Sequence, residues 1–109
     1  MSRSFGRLLM VAAALLALPA SAGEIRIGLA NPLTGPLAAS GQRNRVAVEL
    51  AIRALNQDGG VLGQPLKLVA VDDGCGTDRA AAAALELVEA GVRFVVGHLC
   101  SHSSLMAAS

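Results

Sequence analysis

The sequence has no tryptophan, no tyrosine, two phenylalanines and two cysteines, and its nine Lys+Arg nearly balance eight Asp+Glu over 109 residues. Neither sign of charge forms a block, so a basic patch for a polyanion has no support and nucleic acid is excluded as an expected partner. Charge is scarce as well as balanced. Only 16% of residues are charged and 53% are hydrophobic, set in short periodic runs and not in low-complexity tracts, which excludes a disordered chain. The length allows one domain at most. A membrane-spanning run is also missing: the apolar stretch Leu8–Leu18 has 11 residues, well short of the roughly 20 that a transmembrane helix needs.

That short run has a different meaning. Arg3 and Arg7 precede it, and Pro19 and the small triplet Ala20-Ser21-Ala22 follow it, which is the pattern of a cleaved secretory signal peptide over residues 1–22. Cleavage after Ala22 removes both arginines and leaves residues 23–109 nearly neutral. With no cysteine near the cleavage site, a lipid-anchored N-terminus is not indicated, and the expected product is soluble and exported. An oxidising compartment favours a disulfide between Cys75 and Cys100, which would close a loop of about 25 residues and stabilise the fold by roughly 3 kcal/mol. Metal binding competes with this, because His98, Cys100 and His102 alternate and Cys75 could supply a fourth ligand. Against it, zinc sites usually show tighter paired spacings such as CxxC.

Along the remaining chain, apolar periodicity alternates between two kinds. Glu24–Ala30 suits a strand entering a buried sheet, and Asn31-Pro32-Leu33-Thr34-Gly35-Pro36 breaks it. From about Gln42 to Gln57, Val48, Ala51, Ile52 and Leu55 form one helical stripe, with Arg45, Glu49 and Arg53 on another face. Asp58-Gly59-Gly60 ends that helix. Leu66–Val71 is a second strand, followed by the polar loop Asp72-Asp73-Gly74-Cys75-Gly76. Thr77 or Asp78 can cap a second helix, in which Ala81, Ala84, Leu85 and Val88 make the apolar stripe and Gly91 marks the stop. Val92–Gly97 is a third strand, and Ser101–Ser104 supply cap residues for a third helix.

The order β-α-β-α-β-α predicts an α/β fold, a parallel sheet with helices on both faces and right-handed crossovers. Three strands leave a sheet edge unpaired, and a chain this short buries only about 60% of its surface, so the sequence reads as the first part of a larger α/β protein. A small flavodoxin-like domain is the alternative, and it needs two further strands. Ligands of open parallel sheets collect beyond the carboxyl ends of the strands. Those ends correspond here to Asn31–Gly41, Asp72–Thr77 and His98–Ser104, and a Cys75–Cys100 bridge would tie the last two together.

Within these loops, the serines that open the third helix offer hydroxyls and unpaired backbone N–H groups that suit a carboxylate; the plainer reading is an ordinary N-cap. Ser101 as a nucleophile beside His98 or His102 is disfavoured, because GHLCSHS lacks the GxSxG elbow and no acid is placed to orient a histidine. Phosphate loops are excluded: Gly28–Gly35 lacks the following Lys-Ser/Thr, and Gly74-Cys75-Gly76 lacks a third glycine. Asp72 and Asp73, adjacent in sequence, point to opposite sides and are expected to cap or bond loop groups, not to act as a carboxylate pair.

Three blocks, IGLANPLTGPLAASG, NQDGGVLGQPLKLVAVDDGC and AGVRFVVGHLCSHSS, together resemble the periplasmic branched-chain amino-acid binding proteins, members of the type I periplasmic binding protein fold. The likeness runs from Glu24 to Ser109. It implies a partial first lobe, over residues 23–109, of a two-lobed protein that closes on its ligand and delivers it to an ABC transporter membrane permease. It implies a small-molecule amino acid as partner, no enzymatic activity, no cofactor, no metal, and a monomer at full length. By position, Cys75 and Cys100 match the family's disulfide pair, and Ser101 matches the serine that holds the amino-acid carboxylate. Leu99 and Cys100 match residues of the pocket wall, and Gly35 and Gly41 match the turn around the first pocket loop. Ser40 stands at a ligand-binding position where close relatives carry tyrosine, and Ala47 stands where many carry glycine. The acceptor for the ammonium group is expected partly from a second lobe, so tight binding by these 109 residues alone is not expected. Rival readings are a binder of another amino acid or small amide, an extracellular sensing domain of the same fold, and an exported hydrolase using Ser101 or Cys100.

Overall fold

In a computed structural model, residues 23–109 are described; the proposed signal peptide lies outside them. The elements follow in the expected order: β1 (Ile25–Asn31), α1 (Ala38–Gln57), β2 (Leu66–Asp72), α2 (Thr77–Glu89), β3 (Phe94–Gly97) and α3 (Ser101–Ala107). The three strands are parallel in the order β2-β1-β3, with Ile25 opposite Leu66 and Ile27 opposite Phe94. Because β1 is central, both its faces need small apolar residues, and Leu29 and Ala30 are completely buried.

Strand alternation separates the two faces. Ala30 packs with Val71, Ala83, Leu87 and Val92, and Gly28 faces Leu87 and Val92 so closely that an added Cβ would press on both. Asn31, one position on, turns the other way and bonds Asn44 of α1. Helices therefore cover opposite faces: α1 one, α2 and α3 the other. Chain crossovers leave β1 in opposite directions, toward β2 and then across to β3. This places a switch point between the carboxyl ends of β1 and β3, where open α/β sheets hold ligands.

Several boundaries and faces differ from the sequence expectation. α1 begins at Ala38 and not near Gln42, because the Gly35-Pro36 turn seats its first N–H groups on Gly35 O and Leu37 O without any side-chain cap. Gly41 consequently lies within α1 and not in the preceding turn, and it is the helix's one fully buried residue. Of the expected α1 stripe, Val48 and Ile52 are half-buried while Ala51 and Leu55 are exposed. In α2 the buried residues are Ala80, Ala83 and Leu87, whereas Leu85 and Val88 of the expected stripe are exposed. An alanine-rich helix offers several apolar stripes, and the bulk of Leu87 decides which one faces the sheet. Neither Thr77 nor Asp78 caps α2; Gly76 occupies the cap position. β3 starts at Phe94 because Val92 closes α2 instead, donating its N–H to Leu87 O across Gly91 at φ +75°. β3, one of the sheet's two edge strands, is exposed along all four of its residues.

Candidate functional site

The carboxyl ends of the three strands converge as predicted, and their loops are fixed by side chains as much as by the sheet. After β1, the loop at Leu33 and Thr34 is held by Asp72 at the end of β2. One Asp72 carboxylate oxygen accepts the Leu33 N–H at 2.8 Å and the Gly74 N–H at 2.9 Å; the other accepts the Thr34 hydroxyl at 2.5 Å and Arg79 Nη2 at 2.8 Å. Burial by itself would raise the pKa of this carboxyl. The hydrogen bonds from Thr34, Leu33, Gly74 and Arg79 together outweigh it and hold Asp72 well below the ordinary 3.8.

A lowered carboxyl pKa stabilises the fold above the unfolded value and loses that contribution as pH falls. Asp72→Asn is therefore expected to reduce stability at pH 7 by about 1 to 3 kcal/mol, the scale for hydrogen bonds to a charged group. The gap between wild type and variant should narrow as pH is lowered below about 4. Urea denaturation at pH 7 and at successively lower pH values checks this, and a gap that widens in acid contradicts the assignment.

Asp73 points the other way, as expected for adjacent strand residues. It is fully buried, accepts the Cys75 N–H at 2.9 Å, and pairs with His98 Nδ1 at 2.5 Å. This corrects the expectation that no acid orients a histidine. The consequence for hydrolysis is small: no contact joins His98 to Ser101 among the described hydrogen bonds. Cys75 and Cys100 are joined in a disulfide with their Cα atoms 5.6 Å apart, a span natural for the bridge. His102 lies beside it, with Nε2 2.7 Å from Cys75 O. The sulfurs and His102 do cluster, within 4.8 Å of one another, but both thiols are consumed by the bridge, which leaves one imidazole as the donor.

The sequence-predicted site residues fall in three places. Leu99 lines a cleft of about 350 Å³ at the switch point, with Asn31, Asn44, Ala47, Val48, Val96, Gly97 and His98. Cys100 is the N-cap of α3 and Ser101 its exposed first residue, just outside that cleft. No serine caps the helix through its side chain, so the expected cap role falls to a backbone position. Among the described hydrogen bonds, the first amide of this helix to be bonded is Ser104, to Cys100 O at 3.1 Å, so the amides before it are the open donors of a helix start. Ser40, on the first turn of α1, is half-buried and accepts a hydrogen bond from Arg43 at 3.3 Å. It does not line the Leu99 cleft. Sequence reasoning missed Asn31, which is 1% exposed and whose Oδ1 accepts from Asn44 Nδ2 at 3.0 Å. The only signal was a polar residue ending an otherwise apolar strand.

This arrangement has counterparts in known proteins. The family model described as periplasmic binding protein matches residues 24–109. The chain belongs to the periplasmic binding protein family. Over 84 residues it is 45% identical to the leucine-, isoleucine-, valine-, threonine- and alanine-binding protein of Pseudomonas aeruginosa, covering 77% of this chain and 22% of that protein. The Leu/Ile/Val-binding protein of Escherichia coli K12 is 35% identical over 85 residues, covering 78% of this chain and 23% of the relative. Among solved structures, the branched-chain amino acid transporter substrate binding protein of Streptococcus pneumoniae, in complex with isoleucine, aligns with a TM-score of 0.73 at 32% identity. That alignment covers 77% of this chain and 24% of that one. The chain thus spans under a quarter of the length of these relatives, and its sheet and helices correspond to part of a type I periplasmic binding protein lobe. By name these relatives are amino-acid-binding proteins and a transporter's substrate binding protein.

Proposed function

We propose that this chain carries the first-lobe half of a binding site for a branched-chain aliphatic amino acid, in a periplasmic substrate-binding component of an ABC importer. The observation that carries the reading is the start of α3. Ser101 stands there exposed, with a hydroxyl that has no hydrogen-bond partner among the described residues and with first-turn N–H groups, at the carboxyl end of β3 and beside a disulfide-fixed rim. A carboxylate satisfies both donor types and is favoured by the helix dipole. Leu99 and the apolar wall of the adjacent cleft suit an aliphatic side chain. Residues 1–22 serve as the export signal, the ligand is handed to a membrane permease, and the intact protein acts as a monomer. The names of the relatives in Pseudomonas aeruginosa and Escherichia coli support leucine, isoleucine and valine as the ligands to try first.

In the intact two-lobed protein, Ser101→Ala is expected to weaken L-leucine binding by about 1 to 3 kcal/mol, roughly five- to 150-fold in Kd. Calorimetric titration of both proteins checks this, and equal affinities remove Ser101 from the site. A binder of another amino acid is the second reading. Its ground is Ser40, which by the resemblance stands where close relatives carry tyrosine.

A further inference from the structure

The binding reading above makes no use of the most deeply buried charged group in the site. Asp73 is fully enclosed and the His98 side chain is 6% exposed. A carboxylate so enclosed persists only with its lone pairs satisfied; here Oδ1 takes the Cys75 N–H and Oδ2 faces His98 Nδ1. A carboxylate can only accept, so this pairing calls for a proton on Nδ1. Asp73 precedes Cys75 by two positions, and His98 precedes Cys100 by two. The pair and the disulfide are therefore parallel rungs between the same two loops, each joining residues 25 apart in sequence. The disulfide fixes Cys100 alone, whereas the lower rung fixes the chain before Leu99. His98 also lines the clefts on both sides of β3, so its ring stands at the end of the strand from which the site departs.

We propose that Asp73 and His98 are positioning residues: the carboxylate locks the His98 ring, and the ring sets the backbone that presents Leu99, Cys100 and Ser101 to a carboxylate-bearing ligand. The ligand clause rests on the reading of Ser101 given above, but the positioning can be measured without any ligand.

Two variants of the full, oxidised chain test it by NMR. Asp73→Asn keeps the side chain's shape, and with its oxygen on the Cys75 N–H it turns an NH₂ toward His98, so the ring must exchange to the Nε2–H form. Asp73→Ala removes both bonds. Long-range ¹H–¹⁵N correlations of the imidazole should show Nδ1–H in the wild type and Nε2–H in Asp73→Asn. In Asp73→Ala the Ser104 amide, which bonds Cys100 O at 3.1 Å, should exchange on the order of tenfold faster. The Asp58 amide, bonded to Ala54 O at the far end of α1, should be unchanged. A wild-type ring with no proton on Nδ1, or Ser104 exchange unaffected in Asp73→Ala, overturns the proposal. Equal acceleration at Asp58 also overturns it, because the pair would then support the whole fold and not this segment. Adding L-leucine separates the two ideas: a Ser101 resonance that does not move in the wild type defeats the ligand reading, while the tautomer and exchange results still decide the positioning.

Discussion

Replacing Gly41 by alanine is expected to destabilise the chain by about 2 kcal/mol or more, although alanine is the better helix former by about 1 kcal/mol. Two effects oppose each other, and geometry decides between them. Gly41 is the buried contact point of α1, and an added Cβ would overlap the Pro32 carbonyl group. A clash with the end of a flexible side chain relaxes cheaply. This obstacle is backbone, two residues past the buried centre of β1, so either α1 lifts from the sheet or the Asn31–Leu33 segment moves. Moving that segment strains the Asp72 bonds to Leu33 and Thr34 as well. Urea midpoints measure the effect, with Arg53→Ala on the exposed side of α1 as a control expected to stay within about 0.5 kcal/mol. A Gly41→Ala chain as stable as the wild type would mean that α1 does not approach β1 this closely.

Removing the disulfide should have the largest effect on stability. Reduction, or the double substitution Cys75→Ser with Cys100→Ser, releases a 25-residue separation and is expected to cost about 3 kcal/mol, or a fall in Tm of more than roughly 10 °C. Against the 5 to 15 kcal/mol typical of whole domains, about 3 is a large share. The share is larger still here, because the buried apolar core is a short set dominated by Leu29, Val71, Leu87 and Val92, with β3 open along one edge. Thermal unfolding with and without a dithiol reductant checks it. Coincident curves would show that the bridge closes a loop already held by other contacts, with the Asp73–His98 pair the foremost of them.

The architecture was legible because strand and helix periods differ and because each segment has its own stop. Gly59 and Gly91, both at positive φ, end α1 and α2 as their positions in the sequence imply. What periodicity could not give was helix phase in α2. Five consecutive alanines, Ala80 to Ala84, look alike to a hydropathy pattern, and only Leu87 meeting Gly28 and Val92 fixes the rotation. Helix starts were also displaced, since all three helices begin without a side-chain cap and so without the residue signal that marks one. In the site, the bridge between Cys75 and Cys100 followed from export and cysteine count, and the split roles of Asp72 and Asp73 followed from strand alternation. The Asp73–His98 pair did not. Its partners lie 25 residues apart, and only the register of β1 between β2 and β3 brings their loops together.

On the proposed reading the start of α3 receives an amino-acid carboxylate. The most direct test is an amide NMR titration of the intact two-lobed protein, oxidised, with L-leucine and, in parallel, with L-leucinol, which keeps the ammonium group and side chain but has no carboxylate. Leucine is expected to move the amide resonances of Ser101, His102 and Ser103, and leucinol to leave them in place. Equal movement with both compounds, or movement with leucine confined to other loops, would contradict it.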